Sequence, residues 1–480
     1  MLVLPRPWRL VGPVVVSLSI FAAYGAYSFP DLAARWGLPV AGIPIVLVWG
    51  AVLGAPIWLY RHGHRRAAVL VGAIGMLVLR GAMAALVAGR IPPGDAEMYL
   101  RLADHVRQGR GLEVIEPYMG VETRALFPPF YPMLLALWQM AFGLSTAAIT
   151  MLNAVIDALT AGLIVMLART LGHVRAGRGA AWLYLAWPSV LLSAPLAQKE
   201  GLCALLVLLL ASLWVRFVRA GTPRARDAAA IGVTAGLLAL TQPGAAPLAI
   251  VFALVAIGTG YRRLFTLALA ALPAAVIATM LPWWIRNAVV FGRFVPLTSA
   301  GGYGLWIGNN PDATGEWMAP PLHLYGLSEL AFGRAAARIA IDWIVGNPGG
   351  FIRVTIEKAL RAWGVAEAGV SRLAWMKPGV SAVVTGAAFL TAQIAHLAML
   401  SGGAAAAVVT TRMRCEPGTR TLLLLVLACI IQTLCFGDFF QFGERHRDFA
   451  TPFLLLLALF GMRREPGYSS AESGSSSRGG

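Results

Sequence analysis

Pro92-Pro93-Gly94-Asp95-Ala96-Glu97-Met98-Tyr99 is a short, polar, acidic stretch that begins just after an apolar segment, Ala67 to Ala88, has ended. An uninterrupted apolar run of about 20 residues is what a helix needs to cross ~30 Å of hydrocarbon. The two together read as a membrane span that delivers an acid to the bilayer surface. There it can act on a substrate whose head is wet and whose tail is lipid.

The rest of the chain repeats the apolar half of that pattern. Of 480 residues 58% are hydrophobic and only 13% charged, which excludes a soluble enzyme and places the chain among polytopic membrane proteins. Spans are predicted at Leu10 to Tyr27, Val40 to Leu59, Ala67 to Ala88, Ala147 to Ala168, Ala180 to Ala194 and Gly201 to Phe217. Further ones are predicted at Ala228 to Leu240, Ala246 to Gly258, Leu264 to Trp284, Ser381 to Leu400, Thr421 to Phe436 and Phe449 to Gly461. The sum is about twelve. The short pair around Thr241-Gln242-Pro243-Gly244 reads equally as one broken hairpin. The fold class is thus an all-α polytopic membrane protein.

The net charge of +17 suggests a polyanion partner only until its distribution is read. Arg61, Arg65 and Arg66, then Arg169, Arg175 and Arg178, then Arg216, Arg219, Arg224 and Arg226 fall in short loops of one side. Arg262, Arg263, Arg412, Arg414, Arg420, Arg463 and Arg464 continue the alternation. This is the positive-inside pattern. It places both termini in the cytoplasm and calls for no nucleic acid. Ala26-Tyr27-Ser28 loosely matches a signal-peptidase site, and cleavage there leaves the remaining topology unchanged. Cys203, Cys415, Cys429 and Cys435 form neither a disulfide framework nor a zinc spacing. The Ser/Gly-rich residues 465–480 read as a disordered cytoplasmic tail.

Two connections on the opposite, outer side are far longer than ordinary interhelix links, at residues 89–146 and 285–380. Loops of that length on one face carry function. Asp95 to Val106 has helical spacing, with Tyr99, Leu102, Ala103 and Val106 on its apolar side, and is expected along the interface. Phe127-Pro128-Pro129-Phe130-Tyr131-Pro132 opens a second helix through Trp138 and Phe142. In the later loop Leu327 to Val345 and Gly350 to Trp363 are amphipathic and are separated by Asn347-Pro348-Gly349.

These boxes carry a resemblance. Asp95, Tyr99 and Ala103 directly after a span, followed by Pro128, Pro129, Tyr131, Pro132, Leu134, Leu135 and Ala136, resemble membrane glycosyltransferases of the GT-C fold. The similarity is to glycosyltransferase family 39, the bacterial branch related to protein O-mannosyltransferases and lipid A aminoarabinose transferases. Pro282-Trp283-Trp284-Ile285-Arg286-Asn287, Phe291-Gly292 and Gly308-Asn309-Asn310-Pro311-Asp312-Ala313-Thr314-Gly315 resemble its second outer loop. Glu444-Arg445-His446-Arg447 resembles the basic element before its last span. The likeness runs from about Val69 to Gly461 and implies a GT-C-like domain over residues 67–464, with residues 1–66 as an extra N-terminal hairpin. Two departures are visible. The family often has Thr-Arg-Pro where this chain has Thr241-Gln242-Pro243, and Arg-Tyr-Arg where it has Arg445-His446-Arg447.

The resemblance implies a polyprenyl-phosphate-linked sugar as donor, an acceptor hydroxyl on a protein, lipid or glycan, and Asp95 as catalytic base at the outer face of a bacterial plasma membrane. The residues permit that chemistry on their own account. A hydroxyl is a poor nucleophile at neutral pH, and a carboxylate that accepts its proton contributes roughly 10²- to 10⁴-fold. The leaving phosphate needs cations, and guanidinium groups offer fixed charge and bidentate contacts. Arg286, Arg445 and Arg447 lie on the outer side against the charge rule, and Lys199 stands at the outer end of its span beside Glu200. Tyr99, Tyr131 and Asn309 complete the expected substrate-binding set, the two tyrosines also fitting a packing role. No Asp-x-Asp pair or His spacing suggests a metal, so no cofactor is expected and turnover should survive chelation.

Bland alternatives stay open for each. An acid at a helix start is favoured by the helix dipole, Arg286 beside Trp283 and Trp284 fits a membrane-interface anchor, and Arg445 and Arg447 can pair with Glu444, Asp438 or Asp448. Two other functional classes compete. A transporter or flippase of lipid-linked substrates would cluster charge near the bilayer midplane, where this chain has chiefly Asp157. A surface-polysaccharide polymerase or ligase shares the lipid-linked donor and would gather its arginines and histidine in one outer loop.

Overall fold

The structure, a computed structural model, describes residues 7–37, 42–91, 93–220, 224–258, 265–314, 317–412, 417–438 and 444–460. Pro92, Gly315, Arg262, Arg263, Arg414, Cys415, Arg463, Arg464, the tail 465–480, the span edges Val40, Leu264 and Gly461, and the side chains of Arg412 and Asp438 lie outside these residues.

The chain is an all-α polytopic bundle. Eight helices among the described residues are long and apolar enough to cross a membrane: Leu10–Tyr27, Ile43–Arg61, Arg65–Leu86, Thr146–Thr170, Glu200–Arg219, Ala270–Phe291, Ala382–Thr410 and Pro417–Gly437. The other four expected spans are shorter helices. Pro188, which cannot donate to the helix ladder, splits the fifth into Val174–Leu185 and Pro188–Leu192. Ala225–Ala239, Leu248–Gly258 and Thr451–Phe460 have 15, 11 and 10 residues. At 1.5 Å per residue Ala225–Ala239 covers less than the ~30 Å hydrocarbon core, and the other two run up to the limit of the described residues. Between the first two of these stands a single 3₁₀ turn at Pro243–Ala245.

Close helix contact replaces the hydrophobic effect as the organising force in such a bundle, since lipid tails are as apolar as leucine. Gly232 and Gly236, four apart on one helix face, permit it most directly. A Cβ on Gly232 would stand 2.3 Å from the carbonyl oxygen of Leu272, and one on Gly236 would stand 2.7 Å from Thr279 Cβ. The helices Thr146–Thr170 and Glu200–Arg219 contribute large buried faces, and Val207, Leu210, Ala211 and Ile164 are fully enclosed.

The expected N-terminal hairpin divides in two. The first helix, Pro7–Tyr27, belongs to the core: Val14 and Leu18 are fully buried, and Phe21 stacks on Trp363 at 5.3 Å. The next helix, Ile43–Arg61, is peripheral, with Leu47, Val48 and Trp58 exposed.

The long loops fold as helices close to the predicted limits, Asp95–Arg107, Phe130–Phe142, Glu329–Gly346 and Pro348–Gly364. A small antiparallel hairpin, Val114–Glu116 with Val121–Thr123, was not legible in the sequence, because three-residue strands are too short for alternation to show. Glu329 ties the two loops together. Its carboxylate accepts from the backbone N–H groups of Arg124 at 2.7 Å and Ala125 at 2.9 Å and from the Ser299 hydroxyl.

Candidate active site

Gly94, at φ 84°, makes the turn that admits the chain to the helix Asp95–Arg107, a conformation only glycine adopts freely. The helix then turns Tyr99, Leu102 and Ala103 inward. Tyr99 meets Phe127 and Tyr131 edge to face, with ring centroids 5.4 and 5.1 Å apart. The helix is therefore clamped on the Pro-Pro box rather than free along a surface. Asp95, its first residue, is held at the position where its carboxylate Oδ2 accepts from Arg445 Nη1 at 2.5 Å. The two residues lie 350 positions apart in the chain.

Arg445 projects from a rigid seat. Its segment, the 3₁₀ helix Glu444–Ala450, is pinned on both sides of it. Glu444 is buried and accepts from the backbone N–H groups of Glu367 and Ala368, each at 2.6 Å. Arg447, only 2% exposed, donates to the carbonyls of Ala362 and Val365, the latter at 2.7 Å, and pairs with Glu444 at 3.4 Å. It thereby satisfies carbonyls at the C-terminus of Pro348–Gly364, the end that favours a cation.

Lys199 and Glu200 open the helix Glu200–Arg219 beside this pair. The Lys199 ammonium stands over the Tyr99 ring at 5.9 Å, and Glu200 Oε1 is 3.7 Å from Arg445 Nη1. Lys199, Glu200, Gln242, Arg445 and His446 line a small pocket. Burial raises the Asp95 carboxyl, but Arg445 and Lys199 outweigh it and hold the group below the usual carboxylate range. Asp95 in turn raises the Arg445 guanidinium against the opposing effect of burial. Burial pulls the Lys199 ammonium down, with Asp95 and Glu200 resisting. The Asp95 and Arg445 side chains remain 32% and 29% exposed, so an entering anion can reach the guanidinium.

The other expected ligands stand elsewhere or are otherwise engaged. Arg447 is turned into the protein, as described, because the backbone carbonyls of a helix end claim it. Arg286 donates to the Arg124 carbonyl at 2.8 Å and to Asn287 Oδ1 at 3.0 Å and lies over the Trp283 ring at 5.1 Å. These contacts join the end of its span to the first long loop. Asn309 is fully buried and accepts from the Lys358 ammonium at 3.3 Å, which also donates to the Gly308 carbonyl at 3.1 Å. Tyr99 and Tyr131 are packed to 1% and 0% exposure, so of their two expected roles the structure displays packing. Among the described residues no three His, Cys, Asp or Glu side chains gather as a metal site.

Three polar residues escaped the sequence reading as site residues: Gln198, Arg372 and Asp448. Gln198 precedes Lys199-Glu200 in a polar run at the head of an apolar helix, a signal that was available. Arg372 gives none, since its 6% exposure depends on a tertiary contact with Ser193 at 2.8 Å.

No protein-family model matches the chain, and no curated protein matches it. Solved structures do. The Archaeoglobus fulgidus oligosaccharyltransferase in the apo form is 15% identical, with a TM-score of 0.47 over 80% of this chain and 50% of that one. Its complex with Zn and sulfate gives 17% identity and a TM-score of 0.48 over 80% and 48%. ArnT from Cupriavidus metallidurans bound to undecaprenyl phosphate is 14% identical, with a TM-score of 0.41 over 82% and 76%. This chain spans about half the length of the archaeal enzyme. The solved structures to which it is similar thus include an oligosaccharyltransferase and ArnT, at scores that carry no residue roles across.

Proposed function

We propose that the protein is a membrane glycosyltransferase that moves a sugar from a polyprenyl-phosphate donor to an acceptor hydroxyl, with Asp95 as base and Arg445 and Lys199 as the phosphate-binding cations. The observation that carries the reading is the meeting of the early acid with the late guanidinium, which in turn lines a partly open pocket together with the Lys199 ammonium. A base and a phosphate site must lie within the span of one glycosyl phosphate, and here they touch.

The ion pair also suggests how the base is armed. A carboxylate held below its usual range by Arg445 is a weak proton acceptor. A phosphate entering between Lys199 and Arg445 competes for the guanidinium and restores basicity to Asp95 at the moment the donor is in place. The acceptor oxygen then attacks the anomeric carbon, its proton passes to Asp95, and the bond to the phosphate oxygen breaks with inversion. The growing charge on that oxygen is met by Arg445 and Lys199. The phosphate is already a good leaving group, so no second carboxylate is required as it is in glycoside hydrolysis.

The acid limb of kcat/KM reports the base in the free enzyme. It should lie below the usual carboxylate range in the wild type. In Arg445→Gln, with the lowering charge gone and burial remaining, it should move to higher pH. A limb that stays in place would separate the guanidinium from the base. Turnover is expected to continue unchanged in excess chelator, because side chains supply the cations. Loss of activity on chelation, restored by a divalent ion, would count against that division of labour.

The sparse charge within the spans tells against a transporter. The two intramembrane charges nearest the site, Arg80 and Asp157, are engaged with each other at 2.8 Å.

A further inference from the structure

A second pocket adjoins the first, and Glu200 forms the wall between them. It is partly open rather than sealed, and it is lined by both polar and apolar groups. Asp157, Ser193, Gln198, Glu200, Arg372 and Asp448 supply its polar lining. In a helical membrane protein such a lining demands an explanation, because buried polar atoms are normally paired. Several here are not. Glu200 Oε2 and Gln198 Oε1 are buried acceptors without a donor, and Arg372 Nη2 makes no hydrogen bond on a side chain only 6% exposed. Its nearest carboxylate oxygen, Glu200 Oε1, stands 3.8 Å away.

The chemistry of this lining selects its occupant. Two free acceptors and one free donor are satisfied together by groups that both give and take, which means hydroxyls. Asp157 is paired with Arg80, and the remaining carboxylates, Glu200 and Asp448, outnumber the one guanidinium of Arg372, so the lining repels a second phosphate and accepts a neutral ligand. We propose that this pocket receives the sugar ring of the donor, a neutral hexose or pentose, while its phosphate stays on the far side of Glu200 with Lys199 and Arg445. Gln198, Arg372 and Asp448 are then the residues that select the sugar. The inference rests on the lipid-phosphate reading above and extends it to the glycosyl group.

The test uses the full chain in lipid nanodiscs and five probes: undecaprenyl phosphate and its glucose, galactose, mannose and arabinose derivatives. At least one sugar-bearing lipid should bind about tenfold or more tighter than the bare lipid phosphate, the worth of one or two buried hydrogen bonds. Gln198→Leu and Asp448→Asn should each remove most of that gain and leave the affinity for undecaprenyl phosphate intact, which also shows that the variants fold. Equal binding of all five probes to the wild type would overturn the sugar pocket and leave the phosphate site standing. Variants that weaken bare and glycosylated lipids alike would overturn it too. If no probe binds at all, the lipid-phosphate reading fails and the sugar pocket with it.

Discussion

Asp95→Asn is expected to lower sugar transfer by roughly 10²- to 10⁴-fold, the range a positioned general base contributes, while the protein folds and holds its donor. Asparagine has the shape of aspartate and no capacity to accept the hydroxyl proton. The substitution has a second consequence that a merely structural role would not produce. Asp95 and an incoming phosphate compete for the same Arg445 Nη1, which the carboxylate now holds at 2.5 Å. Removing the carboxylate's charge leaves the guanidinium to the phosphate, so the donor should bind as tightly as before or tighter, and kcat should carry the loss. If Asp95 served only as a helix-start residue favoured by the dipole, asparagine would replace it well, and activity would stay within about tenfold of the wild type. That result, measured with radiolabelled polyprenyl-phosphate sugar, removes the acid from the mechanism. The opposite split, an unchanged kcat with a raised KM, would recast Asp95 as a binding residue.

The sequence disclosed the parts of this site that depend on local order. A span ending near Leu86 and an acid at Asp95 are neighbours in the chain, and the helix Asp95–Arg107 follows from apolar spacing alone. The Pro-Pro box announced the helix Phe130–Phe142 in the same way. What sequence could not reveal was how the late basic run divides. Arg445 and Arg447 are two residues apart and chemically identical, yet one faces a pocket and the other caps a helix end. In a tight 3₁₀ turn, residues two apart point in different directions, and which direction meets the pocket is set by Ala362, Val365 and Glu444, contacts formed only on folding. Asn309 illustrates the same limit. Its place in an Asn-Asn box suggested substrate, and the structure shows a contact that the sequence could not announce, with the buried Lys358 some fifty residues downstream. Apolar composition marks burial in lipid or protein alike, so eight expected spans are long apolar helices among the described residues while others, such as the 15-residue Ala225–Ala239, are shorter.

Arg80→Met is expected to destabilise the fold by about 3–5 kcal/mol, the cost of leaving one member of a buried ion pair alone. Arg80 and Asp157 meet at 2.8 Å with side chains 5% and 6% exposed, and they join the helices Arg65–Leu86 and Thr146–Thr170. Neither has solvent to fall back on. Asp157→Leu should be harmful for the same reason, since it strands a guanidinium. The double substitution removes both charges and the desolvation that each suffered, and well-packed apolar pairs of similar size are commonly as stable as the ion pair they replace. Its melting midpoint in detergent should therefore lie near the wild type, well above both single variants. That strong coupling is the mark of a clamp. Additive losses would mean that each residue serves a separate partner. The clamp bears on catalysis through position: the helix that Arg80 secures ends at Leu86, and the chain leaves it to reach Asp95 within nine residues. A loosened helix lets the acid drift from Arg445, so the single variants should lose transfer as well as stability, and a temperature step that leaves them folded should still show the deficit.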